Sequence, residues 1–286
     1  MKTFDKDFAS ILPFWWCSRR KLEKKQEGDD VPKKVQRTLE SLREKDETIL
    51  TNADTEEQDE AQKDLELDEL STYYENSYEP KVLITYSDNP HTKTRIFGKE
   101  MTRIIPNSIS RSSVKRIVQS AIRESVTDVI IINENQKQPN GFLLIHLPNG
   151  PTAHFRLSSC KITPEMSRDY KEMTTHRPEV ILNNFSTRLG LTVGRMLGAL
   201  FHYEPQFRGR RAVTFHNQRD YIFFRHHRYE FTKDGKRAKL RELGPRFTLK
   251  LISLQQGTFD SKRGDYEWII AGRRHQLETS RRRFFL

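Results

Sequence analysis

Apolar and polar residues alternate along 221–231 with the period of a β-strand, in which successive side chains point to opposite faces. Tyr221, Phe223, Arg225, His227, Tyr229 and Phe231 fall on one face, and Ile222, Phe224, His226, Arg228 and Glu230 on the other. Neither face is wholly apolar, so the strand is expected to carry aromatics into a core and lift Arg and His towards water. An RNA-binding sheet has this pattern, and so does an ordinary amphipathic edge strand. The aromatics are expected to hold the surrounding fold together, with Arg219, Arg225 and Arg228 reaching outward.

Upstream, the β-rich run Val82 to Tyr86 is followed by the turn Ser87-Asp88-Asn89-Pro90. A helix is predicted over Thr94 to Arg103 and another over Ser112 to Glu124, where Val114, Ile117, Val118, Ala121 and Ile122 recur at helical spacing. Asp128 to Asn133 is apolar enough for a strand covered on both faces. A turn at Gln138-Pro139-Asn140-Gly141 then leads into a strand over Phe142 to Leu147, giving a hairpin. The Pro- and Gly-rich corner Leu147 to Thr152 precedes a strand over Ala153 to Leu157. Residues 160–178 read as a linker between halves.

The second half opens with a strand at Val180 to Leu182 and a helix over Ser186 to Leu200, in which Gly190, Gly194 and Gly198 share one face. Glycine inside a helix costs about 1 kcal/mol against alanine, so the stripe implies close approach of the helix backbone to a sheet. Strands follow at Ala212 to Phe215, along 221–231, at Leu240 to Leu243, Phe247 to Leu254 and Tyr266 to Ile270, with a turn at Asp234-Gly235. Alternating strands and helices place the chain in the α/β class, and the two halves have similar strand–helix–strand beginnings. The domain reading is an N-terminal extension over residues 1–79 and a folded region over 80–286, with halves at about 80–160 and 179–286.

Charge sharpens this division. The whole chain carries a net +11, with 35% hydrophobic and 31% charged residues. Between Glu40 and Glu79 there are 15 acidic and 3 basic residues, a net of −12, which leaves +23 on the remainder. The acidic tract has few aliphatics to bury and is expected to be disordered or to fold only on a partner, with Leu65, Leu67, Leu70, Tyr73, Tyr74 and Tyr78 able to dock on the body as a short segment. Arg19-Arg20-Lys21, Lys24-Lys25 and Lys33-Lys34 form a basic cluster that reads either as a nuclear import signal or as a solvated charge run. Cys17 and Cys160 are the two cysteines, which fits a reducing compartment and argues against a disulfide or cysteine–zinc scaffold. No run reaches the length of a membrane span, and the charge order around Ile11 to Cys17 is wrong for a secretory signal, so the chain reads as intracellular.

Catalytic signatures are missing: there is no phosphate-binding loop, dinucleotide fingerprint, H-E-x-x-H or G-x-S-x-G, and no cofactor is expected. His216, Asp220, His226 and His227 are the sharpest metal candidates, and a metal-dependent nuclease using His216 and Asp220 is the enzymatic alternative. Adjacent His226 and His227 point to opposite faces of a strand, however, and Asp220 beside Arg219 suits a turn. The nucleic-acid signal is stronger. From Pro205 onward 20 Arg and Lys face 8 Asp and Glu, with aromatics between them. The clusters are Arg208, Arg210 and Arg211; Arg219, Arg225 and Arg228; Arg246 and Lys250; and Arg281, Arg282 and Arg283. Arg offers bidentate phosphate contacts and Tyr and Phe offer stacking planes. Phe223, Phe224, Phe247, Leu249 and Leu251 are expected in the core.

Several stretches together resemble one family. Leu147-Pro148-Asn149-Gly150-Pro151-Thr152-Ala153-His154-Phe155 looks like the middle signature of the Brix-domain family of ribosome-assembly proteins. Asn183-Asn184-Phe185-Ser186-Thr187-Arg188-Leu189-Gly190 with Gly194-Arg195-Met196 is similar to its second-half opening, and Glu242 to Leu251, running on to Gly257-Thr258-Phe259, to its sigma-factor-like segment. Phe215 to Arg225 and the ending Thr279 to Phe284 resemble one branch of that family. The resemblance implies two α/β halves, each like the anticodon-binding domain of class II aminoacyl-tRNA synthetases. It implies a nucleolar, non-enzymatic protein that binds precursor rRNA during large-subunit maturation, beside a protein partner among the large-subunit assembly factors. A small-subunit factor of the same family is the alternative. Ile104 to Ser112 is short for the family, so the second strand is expected to be clipped, and Met1 to Cys17 matches nothing in the pattern.

Overall fold

The computed structural model describes residues 36–38, 41–43, 49–50, 55–111, 121, 124–166, 173–232, 237–260, 264–270 and 284–286. Expectations for the basic N-terminal cluster, for Met1 to Cys17, for the Asp234-Gly235 turn and for Arg281 to Arg283 lie outside them. So does most of the helix expected over Ser112 to Glu124, although Ala121 is helical and buried. Residues 1–43 and 44–286 are separate compact units. In the first, Thr38 and Ser41 close a turn, each backbone N–H donating to the other's hydroxyl at 3.0 and 3.1 Å.

The larger unit is built on one mixed sheet. Its strands are β1 (Val82–Tyr86), β2 (Ser108–Arg111), β3 (Asp128–Asn135), β4 (Gln138–His146), β5 (Thr152–Lys161), β6 (Glu179–Asn183), β7 (Arg211–Gln218), β8 (Tyr221–Phe231), β9 (Ala238–Glu242), β10 (Arg246–Gln255) and β11 (Tyr266–Ile269). The described helices are α1 (Thr55–Glu66), α2 (Ser71–Tyr74), α3 (Thr92–Ile104), α4 (Thr163–Met166) and α5 (Arg188–Gly198). The strand order is β2-β1-β3-β4-β5-β10-β8-β7-β6, with β9 paired to β8 and β11 to β10. The halves therefore share one sheet, joined by antiparallel β5 and β10 from Thr152↔Gln255 to Lys161↔Arg246.

Both halves open as strand, helix, parallel strand, as expected. Their order differs: β1 lies inside with β2 at the edge, whereas β6 is the edge and β7 lies inside. The strand β2 is present but only four residues long. The hairpin turn falls at Gln136-Lys137, both at positive φ, and not at the expected Gln138 to Gly141. A two-residue turn of this hand matches the twist of the flanking strands, and pairing carries Pro139 and Gly141 into β4.

A continuous core covers one face of the sheet. Helix α3 buries Phe97, Met101 and Ile104 at helical spacing, and α5 buries Val193, Met196 and Leu197. Glu134 ties down the start of α3 by accepting from the His91 backbone N–H (2.8 Å) and the Thr94 hydroxyl (2.6 Å). The Thr187 hydroxyl caps α5 by accepting from Gly190 N–H at 2.9 Å. An aromatic chain crosses the seam: Phe142 to Phe247 (6.4 Å), Phe247 to Phe224 (4.3 Å, nearly parallel), Phe224 to Phe215 (5.2 Å) and Phe215 to Phe201 (6.1 Å). Such ring pairs add stabilisation beyond their area, so the halves are fused by side chains as well as by the ladder.

The acidic tract, expected to be disordered or to fold only on a partner, contains helix α1 and, as expected for Leu70 and Tyr73, a docked segment. Arg195 of α5 donates to Leu65 O and Asp68 Oδ1, both at 2.8 Å, and its guanidinium lies 4.1 Å from the Tyr74 ring centre. Leu70 and Tyr73 are buried, and the Tyr73 hydroxyl donates to Phe201 O at 2.6 Å. Leu67 stays 85% exposed. Charge pairing with α5 and two buried anchors hold a segment too poor in aliphatics to fold alone. The glycine stripe of α5 meets the sheet only at Gly198, where a Cβ would sit 3.5 Å from Leu182 of β6, and its closest neighbours differ from position to position. A Cβ at Gly190 would sit 2.9 Å from the Leu286 carbonyl carbon, one at Gly194 would touch the Phe185 ring at 3.4 Å, and one at Gly198 the Tyr74 hydroxyl at 3.0 Å.

Candidate nucleic-acid interface

The second face of the sheet is treated differently in the two halves. In the first, Leu83, Val129, Leu143, Ile145 and Leu147 pack with Ala121 and Val126 in a smaller apolar cluster. From β5 across the seam into the second, the residues on that side are mainly polar, basic and aromatic. Strand registers put them in rows across β5, β10, β8 and β7. Arg156, Lys250, Tyr221 and Gln218 form one row. Ser158, Thr248, Phe223 and His216 form the next. Beyond them Lys161 faces Arg246, and Arg225 faces Thr214.

On β8 the alternation resolves cleanly. Ile222, Phe224 and His226 are buried on the core side, while Tyr221 is 42% exposed and Phe223, Arg225 and His227 are half-buried on the other. Phe223 therefore leaves the core in which it was expected. Lys250 Nζ lies 5.0 Å from the Tyr221 ring centre, and the Arg225 guanidinium 5.9 Å from that of Phe223. Glu242 sits among the cations: Arg246 Nε donates to its Oε1 at 3.0 Å, and Arg225 Nε lies 3.8 Å from the same oxygen. Burial, then the neighbouring Arg246 charge, lower the Arg225 pKa. Burial also holds His227 below the usual imidazole value. Arg and Lys supply positive charge on this face at neutral pH, with Glu242 compensating part of it at Arg225 and Arg246.

Of the predicted basic residues, the fold brings Arg225, Arg246 and Lys250 together. Arg219 is exposed at the β7–β8 turn, where it and Asp220 take positive φ. Arg208 and Arg210 are exposed on and just after the turn Phe207–Gly209. Arg228 lies on the face opposite Arg225, so the expected outward trio is split. Arg211 leaves the set. It is only 3% exposed, donates to Thr174 O and His176 O, and its Nε donates to His226 Nε2 at 3.2 Å. Burial lowers its pKa to about 10, which keeps it charged at neutral pH, and its donors are spent on the protein.

Arg156 and Lys161 went unrecognised in the sequence. Simple alternation puts Lys161 with the core residues Phe155 and Leu157; the bulge at Ser159, at φ 50°, turns it to stand opposite Arg246. The metal candidates are scattered. Asp220 Oδ1 accepts the backbone N–H groups of Phe285 (2.7 Å) and Leu286 (3.0 Å). His226 is fully buried, donates from Nδ1 to Gly244 O at 3.0 Å, and has its pKa pushed down to about 3 by burial and the Arg211 charge. Among the described residues no group of three or more His, Cys, Asp or Glu is placed to hold a metal ion. None of the described helices is long and apolar enough to cross a membrane.

Comparison with known proteins adds the following. The Brix domain model matches residues 87–253. Over 260 residues the chain is 68% identical to "Probable ribosome production factor 1" of Drosophila melanogaster, covering 90% of this chain and 66% of that protein. It is 50% identical over 264 residues to "Ribosome production factor 1" of Xenopus laevis, covering 91% and 75%. Among solved structures, a probable ribosomal biogenesis protein from Aeropyrum pernix K1 is similar at 12% identity and a TM-score of 0.45, covering 60% of this chain and 96% of that one.

Proposed function

The chain belongs to the Brix-domain family, and from that membership we propose that it is an assembly factor that binds precursor rRNA during maturation of the large ribosomal subunit. It works in the nucleolus, beside protein partners among the large-subunit assembly factors. Its role is to hold RNA, with no bond-breaking step, no cofactor and no small-molecule substrate.

One observation carries the binding reading: Arg156, Lys161, Arg225, Arg246 and Lys250 stand together on one face of the shared sheet. Each cation that meets a phosphate displaces condensed counterions, which makes affinity salt-dependent. With about five contacts to a flexible strand, the slope of log affinity on log salt is about −3.5, or roughly a hundredfold loss between 50 and 200 mM salt. Reversing two of these charges, Arg246→Glu with Lys250→Glu, weakens binding to rRNA fragments and flattens that slope. Unchanged affinity in this variant, or a flat salt response in the parent protein, would refute the reading. Depletion in cells leads to accumulation of large-subunit rRNA precursors; accumulation of small-subunit precursors alone would move the protein to the other assembly line.

A further inference from the structure

We infer that the face along β8 is a platform for unpaired RNA, with a phosphate track on its β10 side and a base-reading edge on its β7 side; this rests on the RNA-binding reading above. The wet face of an antiparallel strand is ordinarily polar. Here it carries Tyr221 and Phe223, and further along Tyr229 and Phe231, the last 61% exposed and 5.5 Å from the Tyr229 ring. Alternate residues of a strand stand about 6.7 Å apart, so the rings form a ladder of separate planes. A duplex keeps its bases inside and offers a flat surface its phosphates and shallow minor groove, which uses the cations and leaves the rings idle. Unpaired nucleotides use both, since every base has a face that stacks on an aromatic ring.

The rows give the platform a direction. Lys250 and Arg156 lie to one side of Tyr221, with Lys161 and Arg246 in the rows beyond. On the other side stand Gln218, His216 and Thr214, polar groups able to hydrogen-bond a base edge. Lys250 already lies over the Tyr221 ring, so a base that takes that ring face passes the ammonium to the adjoining phosphate.

The test uses the full chain with a labelled unstructured 12-nucleotide RNA and a perfectly paired hairpin carrying the same number of phosphates. Tyr221→Ala with Phe223→Ala lowers affinity for the unstructured RNA about 10- to 100-fold and leaves the hairpin and both salt slopes unchanged. Tyr221→Phe with Phe223→Tyr keeps the parent affinity. Tyr221→Ala alone, at an exposed position, gives a smaller loss in the same direction and stands in if the double variant does not fold. Equal or tighter binding of the hairpin, or no effect of removing the rings, would overturn the platform while charge reversal at Arg246 and Lys250 still weakened both RNAs. If charge reversal also left both unchanged, the RNA reading itself would fall, and the face would meet an acidic protein.

Discussion

Replacing Arg211 by methionine separates a structural arginine from its RNA-facing neighbours. Methionine keeps most of the apolar stem and removes the guanidinium, which donates to Thr174 O, His176 O and His226 Nε2 and reaches Arg103 O at 3.5 Å. Those acceptors sit in a site where Arg211 is 3% exposed, so water replaces the lost donors poorly. Hydrogen bonds to charged groups contribute about 1.5–3 kcal/mol each, but here they share one side chain and are not additive. Setting the loss against the burial cost of the charge itself leaves a net destabilisation of about 3 kcal/mol. For a chain of this size that lowers the melting temperature by about 6–12 °C. Thermal and urea unfolding, followed by circular dichroism and tryptophan fluorescence, read the change. RNA affinity, measured well below the new midpoint, stays within about twofold of the parent. A variant that kept its midpoint within a degree and lost RNA binding would refute the assignment and return Arg211 to the interface.

Two further outcomes follow from the same side of the sheet and from α5. His226 has its folded-state pKa pushed down to about 3, while in the unfolded chain it titrates near 6.5. The unfolded state therefore takes up a proton that the folded state refuses; this stability is complete above pH 6.5 and is lost as pH falls towards 3, at about 1.4 kcal/mol per pH unit. Urea midpoints at pH 7, 6, 5 and 4 show this slope, and His226→Gln flattens it by one proton; an identical profile in the variant would discard the linkage. At the glycine stripe, Gly194→Ala meets only ordinary contact with Phe185 and stabilises by about 0.5–1 kcal/mol through helix propensity. Gly190→Ala drives its methyl group into the Leu286 backbone and loses more than it gains, and melting curves in which the two variants shifted alike would sink the contact account.

Legibility followed distance along the chain. Much of the element order between 82 and 269 was readable because strand and helix periods are local, and α3, β1, β8 and β10 lie within a few residues of expectation, whereas α4 falls in the stretch read as a linker. Errors came where a long-range contact overrode a local cue. The Asn140-Gly141 signal lost to the strand register, which put the turn at Gln136-Lys137. Docking of Leu70 and Tyr73 was expected, but helix α1 beside them was not, and their partners Arg195 and Phe201 lie more than a hundred residues away. Phe285 and Leu286 carried no local cue and are placed by long-range contacts: Asp220 holds both, the Phe285 carbonyl accepts from the Thr187 hydroxyl at 2.6 Å and Leu286 O from Asn217 Nδ2 at 3.0 Å.

The candidate interface shows the same division. Alternation along 221–231 by itself determined which residues share a side, because a strand's period of two is a property of the backbone. Composition set the net positive charge, and the full sequence the absence of familiar catalytic spacings. Only the tertiary structure decided which side would be covered. The core built with α3 and α5 buries Ile222 and Phe224, and His226 is buried against Arg211 and Gly244, so Tyr221, Phe223 and Arg225 are left facing water. Pairing of β5 with β10 then brought Arg156 and Lys161 beside Lys250 and Arg246 across some 90 residues of chain. Burial selects a face through apolar area gathered from the whole fold, and no window of sequence contains that sum.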